Sequence, residues 1–246
     1  MEPRNKFAII ASSAESLRDK TDVTNVAARN KGEHERVAVM HAQDGTQYPD
    51  VALAAVLSTF DFDNPNTAYT AKFKRLAGIT PFQGTSADAE AITGFIPDIG
   101  QSTDAGHCAN IYADHGGIVG VAEGSTLKPN VFIDDIHTAD WLEARMGEAV
   151  LTTLATGPKV PYDAIGMALL GSAVRGVMQR AQVAGIVARD ELDDDNTFKP
   201  GFTITLPDPL DAPSSQRAAR ILPAIGVTFR KAGAVHATTI NINVSA

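Results

Sequence analysis

The residues of this chain best suited to chemistry are a cysteine beside a histidine, a run of acids and a pair of acids. "GHC" places His107 next to Cys108, the single cysteine, with His115 further on. A nucleophilic thiolate needs a base within reach. On a strand, adjacent side chains point to opposite faces, so His107 is poorly placed to activate Cys108. That residue reads as a small core hydrophobe. The six histidines, at 34, 41, 107, 115, 137 and 236, show no H-E-x-x-H or comparable spacing, and no metal is expected from them. Asp190, Glu191, Asp193, Asp194 and Asp195 form an acidic run. A calcium loop needs a glycine at its sixth position and a distal glutamate. Counted from Asp193 the sixth position is Phe198, so the run reads as a solvated loop. Asp134 and Asp135 precede a helix, where they either serve a site or sit where the helix dipole favours acids. "GGIVGVAEG" (116–124) lacks the lysine and the strand-to-helix context of a phosphate loop, and no G-x-S-x-G occurs. No catalytic residue, cofactor or metal is expected, and the chain does not read as an enzyme.

Composition narrows the classes further. The chain has 246 residues, 44% of them hydrophobic and 20% charged, with a net charge of -8. That is ordinary for a globular protein with ample core. No Lys/Arg run builds the basic face that nucleic acid requires, and no apolar run approaches the roughly 20 residues needed to span a bilayer. The opening "MEPRNKFAII" turns polar at once after its short apolar stretch, unlike a signal peptide. One cysteine allows no internal disulfide, which fits synthesis in a reducing cytoplasm.

The elements that must position these residues follow from periodicity. "KFAIIAS" (6–12) and "RVAVMHA" (36–42) read as buried strands. Between them Asp22 is placed to cap a helix reaching Asn30. "DVALAAVLSTF" (50–60) follows Pro49 and reads as a helix, giving an α/β unit with a parallel pair. "SADAEAI" (86–92) reads as a short helix, and residues 106–124 as two strands about a Gly-Gly turn. A helix with Thr138 as N-cap runs to Gly157-Pro158, showing an apolar face of Trp141, Leu142, Met146, Ala149, Val150 and Leu154. A second starts near Asp163 and stops at Gly185, completing an αα-hairpin. Its internal glycines 166, 171 and 176 imply close approach of another backbone. "FTITL" (202–206) reads as a strand, "PSSQRAARI" as a helix capped by Ser214 or Ser215, and residues 224–244 as two strands about Ala232-Gly233.

The last of these strands changes sides. Val235 and Ala237 share one face, whereas Ile240, Ile242 and Val244 share the other. Periodicity alone allows a β-bulge at Thr238-Thr239 within one sheet, which it favours, or an exit of the chain from its own core as an arm that adds to a neighbour's sheet.

The C-terminal half resembles a known family. "DWLEARMGEAVLTTLATGPKVPYDAIGMALLGSAVRGVMQRAQVAGIVA" followed by "SQRAARILPAIGVTFRKAGAVHATTININV" is similar to the tail sheath proteins of contractile-tailed bacteriophages and their prophage relatives. The shared series is a Trp-bearing helix, a K-x-P-Y link, a second long helix ending in glycine, an R-x-x-R helix, an apolar strand leading into "AGAVH" and a terminal β arm. The resemblance covers residues 132–246 well and 5–79 more weakly. It implies an α/β-class fold, one mixed sheet flanked by helices, with a core over 1–234 and an arm over 235–246. Within the core, 1–79 is the α/β lead unit, 80–131 an irregular strand and loop region, and 132–234 the helical hairpin with its strands.

The resemblance also implies a structural role without enzymatic activity. Such a subunit stacks with copies of itself as rings around a tail tube, in the virion tail, after synthesis in the bacterial host cytoplasm. Contraction proceeds by rearrangement while arms keep neighbours linked. Val235, Ala237, Ile240, Ile242 and Val244 become the arm interface, with Thr238 and Thr239 as its hinge. The N-terminal arm of the family is expected to be short or missing here. Two other classes stay open: a small-molecule enzyme with its cleft at Ser12-Ser13 above the parallel strands, and a monomeric tail-associated adaptor on a sheath-like fold.

Overall fold

The computed structural model describes residues 6–238. Of the arm residues, Thr239, Ile240, Ile242 and Val244 therefore lie outside the described residues. The chain forms two compact units. The first holds the residues up to Phe60, Tyr69–His137 and those from Ala234 on; the second holds Asp61–Ala68 and Thr138–Gly233.

The first unit is organised by one parallel pair. Strand β1 (Ala8–Ser12) lies beside β2 (Val37–His41) in parallel, from Ala8 opposite Val37 to Ser12 opposite His41. Alternate residues of β2 enter different apolar clusters. Val39 packs with Leu17, Ile92, Ile111 and Leu127, while Ala38 and Met40 pack with Leu53, Leu57, Leu76 and Val121. Burial on both faces is why this strand reads as an unbroken apolar run. Helix α1 (Pro49–Leu57) starts on Pro49, whose missing N–H costs nothing there, and contributes Leu53 and Leu57 to the second cluster. Helix α2 (Ser86–Thr93) opens on a capping box between Thr85 and Asp88 and closes on left-handed Gly94. Two short hairpins complete the unit: β3 (Phe95–Ile96) with β4 (Gly100–Gln101), and β5 (Tyr112–His115) with β6 (Ile118–Val121) about Gly116-Gly117.

Two expectations are corrected here. Residues 22–30 form turns rather than a helix. The Asp22 carboxylate accepts from the amides of Thr24 (2.8 Å) and Asn25 (3.0 Å), and Asn25 Oδ1 accepts from Ala28 N. Side chains that satisfy neighbouring amides compete with the helix ladder. The strands also do not join into one mixed sheet: among the described residues they form five two-stranded sheets. Beyond β2 the ladder shrinks to a single bridge at Asn110. There Asn110 directs both its backbone N–H and its side-chain amide to Val39 O and bonds Ser125 besides. The fold remains a mixture of α and β as expected.

In the second unit α3 (Ile133–Thr156) begins five residues before the expected cap at Thr138, so Asp134 and Asp135 lie in its first turn. Its residues up to His137 count with the first unit. Phe62 meets the Trp141 ring edge-on, 6.2 Å between centroids. Helix α4 (Ala164–Ala184) matches its sequence signals: Asp163 Oδ1 accepts from Ile165 N (2.9 Å) and Gly166 N (3.0 Å), and Gly185 ends it at φ 90°. A Cβ at Gly166 would stand 1.8 Å from Pro161 O, whereas one at Gly176 would meet nothing. Close packing thus accounts for the first glycine and not for the third.

The acidic run is a turn joining β7 (Glu191–Leu192) to β8 (Phe198–Lys199). Its Asp193 accepts from Asp195 N and Thr197 N and pairs with Lys199 at 3.2 Å. Strand β9 (Phe202–Thr205) runs antiparallel to β10 (Gly226–Phe229), and the short helix α5 (Ser214–Ala218) follows Pro213, with neither serine serving as cap. Of the expected second strand after Gly233, the described residues 234–238 are not in strand conformation, so Val235 and Ala237 stand in no sheet.

Candidate assembly interface

The residues singled out for chemistry do not converge. Cys108 is fully buried in a left-handed backbone conformation (φ 55°), not on a strand. Burial pushes its thiol up to about 11, which suppresses the thiolate. His107 turns to Asp19 O at 2.9 Å, and burial lowers its pKa. At the ends of the parallel strands, His41 is buried edge-on to Phe82 (5.3 Å), and burial lowers its pKa too. Beside it the Ser12 hydroxyl accepts from Ala14 N, and its carbonyl from Ala42 N. Asp134 accepts from Ala71 N at 3.4 Å, while Tyr69 donates or accepts a short hydrogen bond at His137 Nδ1. Burial, with Asp134 adding to it, raises the Tyr69 phenol above its usual range. Among the described residues no group of three His, Cys, Asp or Glu side chains is placed to hold a metal, and no helix is long and apolar enough to cross a membrane.

What the second unit does build is an apolar groove of about 490 Å³. Met146, Val150 and Leu154 of α3 form one wall and Met167, Leu170 and Val174 of α4 another, with Leu222, Pro223, Ile225 and Val227 along the third side. The αα-hairpin is thus splayed by a cleft. Helix α3 reaches it through Met146, Val150 and Leu154, part of the apolar face read from its spacing. Val227 belongs to β10, whose edge away from β9 has no ladder partner over Gly226–Phe229 among the described residues. An apolar groove beside an open strand edge has what strand addition needs: backbone groups for the ladder and pockets for alternate side chains.

The first unit holds the start of the C-terminal segment. His236 Nε2 lies 2.8 Å from Thr70 Oγ1, which also accepts from Lys72 N. Its ring meets Phe132 edge-on at 4.5 Å and Phe73 at 6.4 Å. Phe73 has φ 66°, a conformation that costs a bulky residue on the order of 1–3 kcal/mol. It is held there by Phe73 N to Val121 O (2.8 Å) and Val121 N to Lys74 O (3.0 Å). Gly120 permits the approach, since a Cβ there would stand 2.9 Å from Phe73 Cα. His236 and Ala237 also wall a cavity of about 290 Å³ with Phe95, Gln101, Glu123 and Phe132. Behind it Lys72 and Glu123 form a buried ion pair at 3.2 Å, and burial raises the Glu123 carboxyl while Lys72 opposes that rise.

The structure therefore divides the expected arm interface. Val235 is 79% exposed, Ala237 lines the cavity of the first unit, and Thr238 is exposed with no strand around it. His236, which sequence reasoning passed over, is the anchoring residue. The signal was a polar residue between Val235 and Ala237, on the face that alternation leaves opposite to them.

Residues 133–244 match the family described as E217 tail sheath protein gp31-like, C-terminal domain. The fold is similar to a chain in the cryo-EM structure of the anti-feeding prophage baseplate, 6-fold symmetrised, with a TM-score of 0.66 at 12% identity. That likeness covers 98% of this chain and 60% of the other, so the chain spans less than two thirds of the length of the solved chain it matches. No curated protein matches the sequence. The tail-sheath resemblance is borne out over residues 133–244, which match the C-terminal domain of a tail sheath family, and the fold is similar to that of a chain in the prophage baseplate structure.

Proposed function

From the match of residues 133–244 to a tail sheath C-terminal domain, we propose that the chain is a structural subunit of a contractile phage tail sheath. It assembles with copies of itself around a tail tube, and its residues after His236 pair with a neighbour by strand addition. The role is mechanical, with energy coming from repacking of subunit interfaces between two arrangements. The observation that carries the reading is the groove beside the open edge of β10, which lies inside the matched segment. The sequence Ile240, Ile242 and Val244 supplies three apolar side chains on one face, the pattern a strand needs to seal an apolar groove while its backbone joins the edge.

Electron microscopy of the concentrated protein tests this directly. Rings or helical tubes are expected of the full chain, and their loss is expected on deleting residues 236–246. Unchanged assembly in the deleted chain would refute the arm, and a stable monomer at all concentrations would refute the sheath role.

A further inference from the structure

An arm that links rigid bodies has to be fixed somewhere on its own body, or tension passes into loose chain. The candidates for that root are few. Beyond Ala232, whose N–H bonds Ile186 O, the backbones of Gly233, Ala234, Val235, Ala237 and Thr238 bond to no other described residue. Val235 is exposed. The side chain of His236 alone is seated, and its seat is built rather than incidental. Thr70 meets its Nε2, Phe132 and Phe73 present their ring edges, and Phe73 is kept in a conformation that a phenylalanine adopts only when its surroundings impose it. Behind the seat Gln101 is 4% exposed and its Oε1 has no donor among the described residues. A covering segment keeps that buried polar interior, with the Lys72–Glu123 pair, closed to bulk water.

We infer that Thr70, Phe73 and Phe132 form a socket that pins His236 within its own chain, so that the arm offered to a second copy starts after His236 and pivots at Ala237-Thr238. The inference rests on the arm reading given above and sharpens it. In an assembled state the segment up to His236 stays at home while the residues beyond it go to the neighbour. The socket thereby sets the reach of the arm, and a load on the arm is borne by one side chain wedged between two aromatic edges.

The test is a cross-link in the full chain carrying Ile99→Cys and Ala237→Cys, two positions that line the cavity beside the socket and leave Thr70, Phe73, Phe132 and His236 in place, with the buried Cys108 replaced by Ala. A short bis-alkylating thiol reagent is added before and after assembly, and products are weighed as intact chains. Thiols within one chain see each other at millimolar effective concentration, so at micromolar protein the intra-chain product is expected to exceed the inter-chain one by about a thousandfold. The same ratio is expected in assemblies, and chains linked beforehand are expected to assemble like unlinked ones. A product joining two chains in assemblies would overturn the inference, as would failure of only the linked chain to assemble. A second measurement needs no assembly. In proton–carbon spectra of the full-length protein, the His236 ring resonances are expected to lie away from those of free histidine and to move back on Phe132→Leu. Free-histidine positions in the unaltered chain would overturn it as well. Should deletion of 239–246 leave assembly intact, the arm reading fails while the cross-link still reports whether His236 is the root.

Discussion

The two units handle their apolar residues differently. In the first, both faces of β2 are sealed, Leu53, Met40 and Ile92 are fully buried, and the buried Asn110 side chain is bonded to the backbone of Val39 and Ser125. In the second, α3 and α4 carry apolar repeats that stop short of closing on each other, leaving a groove in which Leu154 is 47% exposed. Leu151, Ile165, Leu169 and Val183 are more than a third exposed on the same two helices. A sealed core stabilises the chain that owns it. A groove rimmed by exposed apolar residues gains its stabilisation only when something else covers it. The first unit closes a core around β2, and on the proposed reading the groove of the second is what a partner would cover.

Substitutions in the two apolar sets sharpen this contrast most. Leu53→Ala is expected to cost about 2–5 kcal/mol, since it leaves a cavity in a closed core, whereas Leu154→Gln is expected to change folding stability by no more than about 0.5 kcal/mol. Assembly should respond in the opposite order, with Leu154→Gln abolishing tubes or rings that Leu53→Ala still forms when kept cold enough to fold. Denaturant titration read beside sedimentation decides it. Equal destabilisation by both changes would end the distinction.

Acid provides a second way to break it. His41 and His107 have pKa values lowered from 6.5 by burial in the first unit. The unfolded chain therefore binds protons there before the folded one does. Their stabilising effect is fully present above the ordinary histidine pKa and is lost as pH falls through it towards the folded values. Glu123 acts with the other sign: its raised pKa makes the folded state hold its proton longer, so its share of stability declines as pH rises through the ordinary carboxylate range. In Glu123→Gln the histidine slope should stand alone. Probes of the first unit should show stability falling from pH 7 to 5.5, while Trp141 fluorescence, reporting the second unit, should show little. A second-unit transition with the same acid dependence would count against separate behaviour.

The smallest effect lies inside the second unit. Asp163→Ala removes an N-cap that accepts two amides and is expected to cost about 1 kcal/mol. Ser214→Ala removes no capping bond and should leave the melting temperature where it was. A loss at Ser214 equal to that at Asp163 would show that the cap assignment is wrong.

How much could be read beforehand depended on whether a segment's signals were local. The helix from Asp163 to Gly185 was legible because both its stops are properties of single residues: a carboxylate that accepts amides and a glycine that takes positive φ. The parallel pair was legible because four consecutive residues of β2, Val37–Met40, are apolar enough to be buried on both sides. Residues 22–30 misled because the side chains of Asp22 and Asn25 claimed the amides a helix would have used. The start of α3 misled because Thr138 resembles a cap, although the helix was already under way from Ile133. The alternation after Gly233 misled in a more useful way. It treated His236 as an unremarked polar position, and the structure makes it the one seated side chain of the segment.

The sequence by itself determined the elements whose ends are set by capping chemistry and whose faces are set by periodicity. It also determined the ordered series of helices and strands that resembles a tail sheath. Tertiary structure decided what no local pattern encodes: that the strands close into separate pairs, that two amphipathic helices leave a groove between their apolar faces, and that Thr70, Phe73 and Phe132 meet His236 from more than a hundred residues away along the chain. Helix caps and strand alternation act over a few neighbouring residues, and their energies are visible in the residues themselves. A groove or a socket is made by segments distant in sequence, and its shape exists only once packing has chosen which of them meet.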